Sequence, residues 1–404
     1  MANAILTIDM ITRAAVSLFK NSNMFIQNIN TQYDDQFAVD GAKIGDTLRI
    51  RLPNDFTVRR GPGLQAQDTS EKYTSLSLTQ QVGVDVSFST AERTLKLDDY
   101  ADRILAPMVN NVAGAVAYDV MASVEGSVCN FVSNVDGSGN IISPTADTVL
   151  QGKAALESNS APQMPGRKVV MDEYTEARVV STLSGLFNPS QEISQQYRTG
   201  SMKNALSFDW YMDQTVIKHT TGSFTAGTVN GAGQTGNTIV TNAITGTLKK
   251  GDIITVDGVV MVNRVTKQST GKLRQFVVTA DVPSGATAIP VYPAIIPSNG
   301  GNAVQYQTVD ASPANSAAVR LANKPNEVYR KNIAYAPEAV TLATADLVIP
   351  KGVHEASRRT QDGISLRMIT AYVIGTDQMA TRFDVIYGYT WPRGEWGAII
   401  ADKI

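Results

Sequence analysis

The sequence is poor in cysteine, histidine and charged residues. Its 404 residues include two histidines and one cysteine, Cys129, so no internal disulfide can form and the usual zinc-ligand patterns are missing. Cys129 lies in an apolar stretch, which predicts a small buried hydrophobic residue. Charged residues make up 18% of the chain, below the roughly 25% of ordinary soluble domains. Uncharged polar surface is typical of proteins that are covered by copies of themselves, although polar adhesins share the trait.

An excess of positive charge and a long hydrophobic run are also missing. The 35 Lys and Arg residues face 37 Asp and Glu residues, which argues against a dedicated nucleic-acid binder, because such proteins carry a basic stripe. No stretch approaches the roughly 18 apolar residues that span a bilayer. Residues 1–20 predict an amphipathic helix and lack the pattern of a signal peptide. We therefore expect a protein without membrane contact that is synthesised in the cytoplasm.

Motifs for catalysis and for cofactor binding are missing too. Residues 231–236 match the glycine fingerprint of dinucleotide-binding folds, but residues 237–240 after them predict a strand where that fingerprint needs a helix. There is no P-loop and no nucleophile elbow. His219 and His354 stand alone and are interpreted as surface or domain-boundary residues. The sequence predicts no enzyme, no cofactor and no metal site.

A long hairpin is predicted near the N-terminus. Residues 47–52 alternate strictly between polar and apolar. The alternation continues on even positions, at Leu76, Leu78, Val82, Val84, Val86 and Phe88. Residues 53–72 between them are polar and flexible. An isolated two-stranded hairpin is marginal in water, so this one requires a partner. The charges near its tip are Arg59, Arg60, Asp68, Glu71 and Lys72.

The rest of the chain predicts an α+β domain interrupted by an all-β module. Helical spacing runs over residues 98–128, with Pro107 as a kink or as part of the first turn. A helix over 146–158, a strand over 168–171 and a helix towards residue 183 follow. From 219 to 330 helical periodicity vanishes and short Val, Thr and Gly-rich runs dominate, among them 253–256 and 259–265. Strands return after residue 331, where Arg358 and Arg359 are interpreted as a loop pair.

Three stretches carry a resemblance to a known family. They are LKKGDIITVDGV at residues 248–259, residues 332–349 before Pro350, and residues 113–123. With the order of elements, they resemble the Hong Kong 97-type fold of tailed-phage major capsid proteins, in the branch of the P-22-like coat proteins, whose inserted domain is a β-barrel. One stretch departs from the pattern: residues 222–242 lack the acidic, Asn-rich loop that this family uses between capsomers.

The resemblance implies a division of the chain into domains. These would be an N-terminal helix and arm (1–43), an E-loop hairpin (44–90), a peripheral domain with the spine helix (91–166), a first part of the axial domain (167–218), the inserted β-barrel (219–330) and a second part of the axial domain (331–404).

The resemblance also implies a function and partners. The protein would be a structural coat subunit that forms hexamers and pentamers of an icosahedral head through a scaffolded procapsid. Its partners would be scaffolding protein, portal protein and, through weak non-specific contacts only, packaged DNA; the shell would assemble in the host cytoplasm. We expect the interface charges to be the five at the hairpin tip together with Lys267 and Lys272, in an outward-facing connection of the barrel.

Three other functions are compatible with the sequence to a lesser degree. A cellular nanocompartment shell of the same fold is the nearest alternative, and the β insertion favours the phage protein. A carbohydrate-binding or adhesive protein would require a secretion route and aromatic binding faces. An enzyme would require a cluster of titratable residues, and the sequence offers none.

Overall fold

The structure is a computed structural model that describes residues 8–34, 47–52, 55–56, 61–63, 73–89, 106–164, 166–183, 204–298 and 305–404. The helices are α1 (Ile8–Ser22), α2 (Met24–Gln27), α3 (Ala106–Ala122), α4 (Ala146–Ser158) and α5 (Glu173–Leu183), with short 3-10 helices at Pro337–Ala339 and Gly394–Trp396. The strands are β1 (Asn30–Asp34), β2 (Thr47–Arg51), β3 (Tyr73–Ser77), β4 (Gln80–Ser89), β5 (Asn130–Val132), β6 (Asn134–Val135), β7 (Ile141–Ile142), β8 (Lys168–Met171), β9 (Asn204–Ala205), β10 (Phe208–Met212), β11 (Lys218–Thr220), β12 (Gly227–Thr228), β13 (Gly236–Val240), β14 (Ile253–Val262), β15 (Ser269–Val278), β16 (Ala288–Ile295), β17 (Ala318–Leu321), β18 (Val328–Tyr335), β19 (Thr341–Ala345), β20 (Glu355–Gln361), β21 (Ile364–Val373), β22 (Gln378–Thr390) and β23 (Gly397–Lys403).

The chain divides into two compact units. Unit 1 comprises Met1–Arg51, Tyr73–Val120 and Val340–Pro392, and unit 2 comprises Leu52–Lys72, Met121–Ala339 and Arg393–Ile404. Each unit is therefore assembled from segments that are far apart in the sequence.

The main sheet of unit 1 is organised around the long strand β22. The strand order is β1-β19-β22-β21-β20, and β4 also pairs with β22. β1 runs parallel to β19, and the other pairs are antiparallel. β22 has 13 residues, enough to pair with β4 on one side and, on the other, with β21 along its first half and with β19 at its end. Arg358 and Arg359 lie within β20, so their interpretation as a loop pair was wrong.

Two helices of unit 1 show the apolar spacing that the sequence predicts. α1 packs against β20 and β21 and buries Ala15, Val16 and Phe19, one stripe of an amphipathic helix. α3 is described from Ala106, so that Pro107 is its second described residue, and positions 98–105 of the predicted helix lie outside the described residues. The helix ends at Ala122, earlier than the predicted residue 128, and the turn after it contains Gly126 at φ +85°, a conformation that favours glycine.

The predicted hairpin pairs β2 with β3, and the chain then changes sheet. β2 and β3 are antiparallel over their full length, whereas β4 pairs with β22. The alternation from 76 to 88 predicted one strand, but the structure has a break at residues 78–79 because the two halves have different partners. Leu76 near the end of β3 and Leu78 within the break are both buried.

A mixed sheet of seven strands forms the frame of unit 2. Its order is β5-β23-β18-β8-β10-β9, with β11 paired to β18. β5 is parallel to β23 and β8 to β10. Helices α4 and α5 and the sheet contribute buried residues to one core, including Val149, Val179, Val169 and Ile400. The bounds of α4, β8 and α5 are those predicted from the sequence.

The inserted module of unit 2 is a six-stranded barrel. Its strand order is β12-β17-β14-β15-β16-β13, and isolated bridges between Val229 and Thr241 and between Ala226 and Thr245 join the two ends. β14 shifts register against β15 between Thr255 and Val260, and Gly258 there has φ +80°. The two runs predicted at 253–256 and 259–265 are therefore one strand with a bulge.

The strands that enter and leave the barrel are direct neighbours. In β11 and β18, Lys218 pairs with Arg330, His219 with Tyr329 and Thr220 with Val328. The barrel thus starts and ends at one place in the sheet of unit 2, which explains how a module of this size can be inserted without disturbing the sheet. We call this place the insertion root.

Candidate functional site

Five of the seven predicted interface residues cannot be assigned a position. Arg59, Arg60, Asp68, Glu71 and Lys72 lie outside the described residues, and their role stays a prediction.

The other two, Lys267 and Lys272, lie at the β14–β15 connection. The Lys267 side chain is half-buried, and its Nζ donates to the carbonyl oxygen of Gln305 at 2.6 Å. Burial lowers the pKa of Lys267. Lys272 is exposed and belongs to β15, whereas the turn itself spans residues 263–268. Of the two lysines, Lys272 presents its side chain to solvent and Lys267 turns back onto its own chain.

The same turn holds an arginine that the sequence did not indicate. Arg264 Nε donates to both carboxylate oxygens of Asp55, at 3.1 and 2.9 Å, and Nη2 donates to Oδ2. Arg264 Nη1 donates to Glu395 Oε2 at 3.2 Å. Burial acts to lower the pKa of Arg264, but the hydrogen bonds to Asp55 and the charge of Glu395 raise it above its usual value.

A second arginine extends this network into the protein interior. Arg274 is 2% exposed; its Nη2 donates to Glu395 Oε1 at 3.2 Å and its Nη1 to Asn159 Oδ1 at 2.9 Å. Arg264, Arg274, Glu395 and Asp55 therefore form one charged cluster, which we call the arginine cluster. Its members are separated by up to several hundred residues in the sequence, so no local sequence pattern predicts the cluster.

A second polar cluster fixes the insertion root. His219 is buried, with Nδ1 2.7 Å from Glu125 Oε1 and Nε2 2.8 Å from Asp252 Oδ1. Asp252 is fully buried, and its Oδ2 accepts hydrogen bonds from the backbone N–H groups of Gly222 at 3.0 Å and Lys249 at 2.7 Å. The side chain of one aspartate thus ties its own segment, which includes Lys249, to the segment of His219 and Gly222. The prediction placed His219 at the surface or at a domain boundary; the structure has it buried on β11.

A buried lysine completes the insertion root. Lys331 on β18 is 0% exposed; its Nζ donates to the carbonyl oxygen of Gly251 at 3.0 Å and to Glu125 Oε1 at 3.4 Å. Burial lowers the pKa of Lys331 to about 8, although Glu125 and Asp252 act in the opposite direction. Burial acts to raise the pKa of Glu125, but the His219 hydrogen bond and the Lys331 charge hold it below its usual value.

Substituting Lys331 by methionine should change how stability depends on pH. Between about pH 8 and pH 10.5 the unfolded lysine still binds a proton that the folded one has lost, so the free energy of unfolding rises with pH. In Lys331→Met this contribution is missing. From pH 8 to pH 10, we expect the free energy of unfolding of the wild type to rise by about 1–2 kcal/mol more than that of the variant. Urea unfolding at several pH values measures this difference.

The exposed Lys272 provides the matched control for this prediction. Lys272→Met should shift the free energy of unfolding little and should leave its pH dependence parallel to that of the wild type. Parallel curves for Lys331→Met would contradict the prediction.

The glycine-rich segment of the barrel is a fixed loop. A strand, β13, follows it, as predicted, and not a helix. Gln234 locks the loop: its Nε2 donates to the carbonyl oxygens of Asn230, Gly231 and Val240, and its Oε1 accepts from the N–H of Val240. The segment is thus built without the acidic residues that the family pattern has there.

The buried position of Cys129 agrees with the prediction. Cys129 is free and fully buried, and burial raises its pKa to about 11. Within the described ranges, no group of three or more His, Cys, Asp or Glu side chains is arranged to hold a metal ion. Among the same residues, none of the helices combines the length and the apolar character needed to cross a bilayer.

Comparison with known proteins identifies the family. A family profile described as "P22 coat protein - gene protein 5" matches residues 27–399. A sequence comparison with the curated proteins finds no match.

Solved structures with a similar course of the chain are distant in sequence. The capsid of the cyanophage P-SCSP1u is 10% identical with a TM-score of 0.49, covering 94% of this chain and 88% of the other. The capsid of Ralstonia phage GP4 is 8% identical with a TM-score of 0.47, covering 93% and 88%. A structure from Mycobacterium phage Che8 is 10% identical with a TM-score of 0.45, covering 94% and 90%.

The match over most of the chain defines the class of protein. It is a structural major capsid protein, not an enzyme, and its fold is α+β. The chain belongs to the P22 coat protein family. Its copies form the icosahedral shell of a virion.

Proposed function

We propose that the chain assembles as hexamers and pentamers around a scaffolding protein, first into a procapsid and later into an expanded shell that holds DNA. The observation that carries this proposal is the family match over residues 27–399. A low content of charged residues, 18%, supports it, because surfaces that meet copies of the same chain are depleted in charge. Many weak contacts then act together through symmetry.

The further partners and the place of assembly belong to the same proposal. A portal protein would occupy one vertex, and assembly would take place in the host cytoplasm. A formal net charge of -2 supports weak, non-specific contacts with packaged DNA, because strong binding to phosphates requires an excess of basic residues.

We also propose roles for the segments. Residues 1–43 would form the N-terminal helix and arm, 44–90 the E-loop, 91–166 the peripheral domain with α3 as the spine helix, 167–218 and 331–404 the axial domain, and 219–330 the inserted barrel. The paired strands β11 and β18 support the limits of the barrel, because they bring its two ends together.

The test of the shell function is negative-stain electron microscopy of the purified protein, alone and after co-expression with a candidate scaffolding protein. We expect irregular shells or spirals without the scaffold and regular icosahedral shells with it. A discrete monomer or small oligomer under both conditions would contradict the proposal.

Removing the basic pair at the hairpin tip should weaken assembly. We propose that Arg59, Arg60, Asp68, Glu71 and Lys72, with Lys267 and Lys272, contribute charges to contacts between subunits. Each exposed ion pair is worth about 0–1 kcal/mol, but the shell repeats it many times. The double variant Arg59→Gln/Arg60→Gln should therefore need about tenfold more protein to assemble, measured by light scattering.

The control for this variant is a second adjacent basic pair. Lys249 and Lys250 are exposed on the barrel, and replacing both by glutamine should leave the assembly threshold nearly unchanged. Circular dichroism should show an intact subunit in both variants. Equal loss of folding and assembly in Arg59→Gln/Arg60→Gln would refute the assignment.

A further inference from the structure

The arginine cluster binds a carboxylate from the segment that joins β2 to β3. Asp55 lies four residues after the end of β2, and the carboxylate receives three hydrogen bonds from the Arg264 side chain. Both side chains are only about a fifth exposed, 21% for Asp55 and 22% for Arg264. A charge-assisted, two-nitrogen contact that is mostly shielded from water is stronger than an ordinary surface ion pair.

The arginine is held in position before it meets the carboxylate. In the turn after β14, Asn263 Oδ1 accepts from the backbone N–H groups of Val265 and Thr266, both at 3.0 Å. The N–H of Lys267 donates to the carbonyl oxygen of Asn263 at 2.9 Å. On the other side, Arg264 Nη1 is fixed by Glu395. Little conformational freedom is left to lose when the carboxylate binds.

The charges around the turn favour a negative ligand. Without Asp55, the described residues of the cluster would set Arg264 and Arg274 against the carboxylate of Glu395, with the basic neighbours Lys267 and Arg393 close by. Burial lowers the pKa of both neighbours; the positive charge of Arg264 acts in the same direction and the carboxylates of Asp55 and Glu395 act against it. The Asp55 carboxylate therefore reduces an excess of positive charge.

We propose that the arginine cluster is a carboxylate-binding site of the inserted barrel, and that its ligand is Asp55 of the same chain. Asp55 would then be bound in the free subunit, before any neighbour is met. The contact itself does not depend on the proposed function; only its use in assembly does.

A second ion pair in the barrel serves as the matched control. Arg320 binds Asp257 with Nε at 2.9 Å and Nη2 at 2.8 Å, but the two side chains are 64% and 41% exposed. Both pairs join an arginine to an aspartate, but Arg320 and Asp257 are much more exposed than Arg264 and Asp55. Exposed pairs of this kind contribute little to stability.

Crosslinking of cysteine pairs in the unassembled protein tests which chain supplies the carboxylate. The full-length variant Asp55→Cys/Arg264→Cys is treated with a short bis-maleimide, beside Asp257→Cys/Arg320→Cys and the four single variants; Cys129 is buried and serves as the common background. We expect a crosslink within single chains for both double variants. Crosslinked dimers in Asp55→Cys/Arg264→Cys would overturn the proposal.

Limited trypsin digestion provides an independent measurement on the native side chains. The segment contains Arg59, Arg60 and Lys72 as cleavage sites. In Asp55→Asn these sites should be cut about tenfold faster than in the wild type. A hydrogen bond to a charged group is strong enough to change an equilibrium constant about tenfold or more. Asp257→Asn should be cut at the wild-type rate. Equal rates in all three proteins would refute the role of Asp55, whether or not the protein forms shells.

Discussion

Replacing Asp252 by alanine should lower the free energy of unfolding of the barrel by about 3–5 kcal/mol. The carboxylate is fully buried and has three partners: His219 and the backbone N–H groups of Gly222 and Lys249. In Asp252→Ala the buried His219 and the buried N–H of Gly222 would lose their acceptor, as would the part-buried N–H of Lys249, and each unsatisfied buried polar group costs about 1–3 kcal/mol. Lys331 would keep its contact with Glu125.

Urea unfolding combined with hydrogen exchange of β14 and β15 measures this loss where it occurs. Asp257→Ala is the control, because Asp257 lies in the same barrel but in an exposed ion pair; its removal should cost less than about 1 kcal/mol. If both aspartates gave the same small change, the insertion root would not carry the stability that its burial and hydrogen bonds indicate.

Replacing Gly222 by alanine should destabilise the same region by about 3 kcal/mol or more. A Cβ at this position would lie 2.1 Å from the carbonyl oxygen of Thr247 and 2.9 Å from the Cα of Leu248. Both are backbone atoms, so a rotamer change cannot relieve the overlap. A shift of the chain would in turn strain the hydrogen bond from Gly222 to Asp252.

Gly137→Ala is the matched control for this clash. Nothing lies within 4 Å of a Cβ at Gly137, and the expected change is within about 0.5 kcal/mol. Thermal unfolding followed by circular dichroism compares the two variants. A Gly222→Ala protein as stable as Gly137→Ala would show that the strand entering the barrel can move aside at little cost.

The sequence predicts those elements whose side-chain pattern is local. α4, β8 and α5 have a clear periodicity and end at their predicted bounds because a capping residue or a turn stands beside them; Thr145, for example, caps α4. β1 and β23 were not predicted as strands. Each forms a parallel pair with a strand that is distant in the sequence: β1 with β19, and β23 with β5. A local pattern contains no information on such a partner.

Both polar clusters were missed for the same physical reason. Glu125, His219, Asp252 and Lys331 come from four separate segments, and only the folded chain brings them within hydrogen-bond distance. The sequence around Lys331 contains no signal of its burial, because Arg330 and Asn332 stand beside it. Only the folded strand shows that its neighbours are nearly all buried and that the lysine needs a buried partner.

The neighbouring positions of Thr220 and Val328 also determine where a domain can be inserted into this chain or removed from it. Because these residues face each other across an antiparallel pair, a two-residue turn could join them directly as an ordinary hairpin. The barrel can therefore be excised, replaced by another domain or fused with a foreign sequence through one pair of adjacent splice points. The frame strands would keep their order and their register, which makes this position the natural site for grafting.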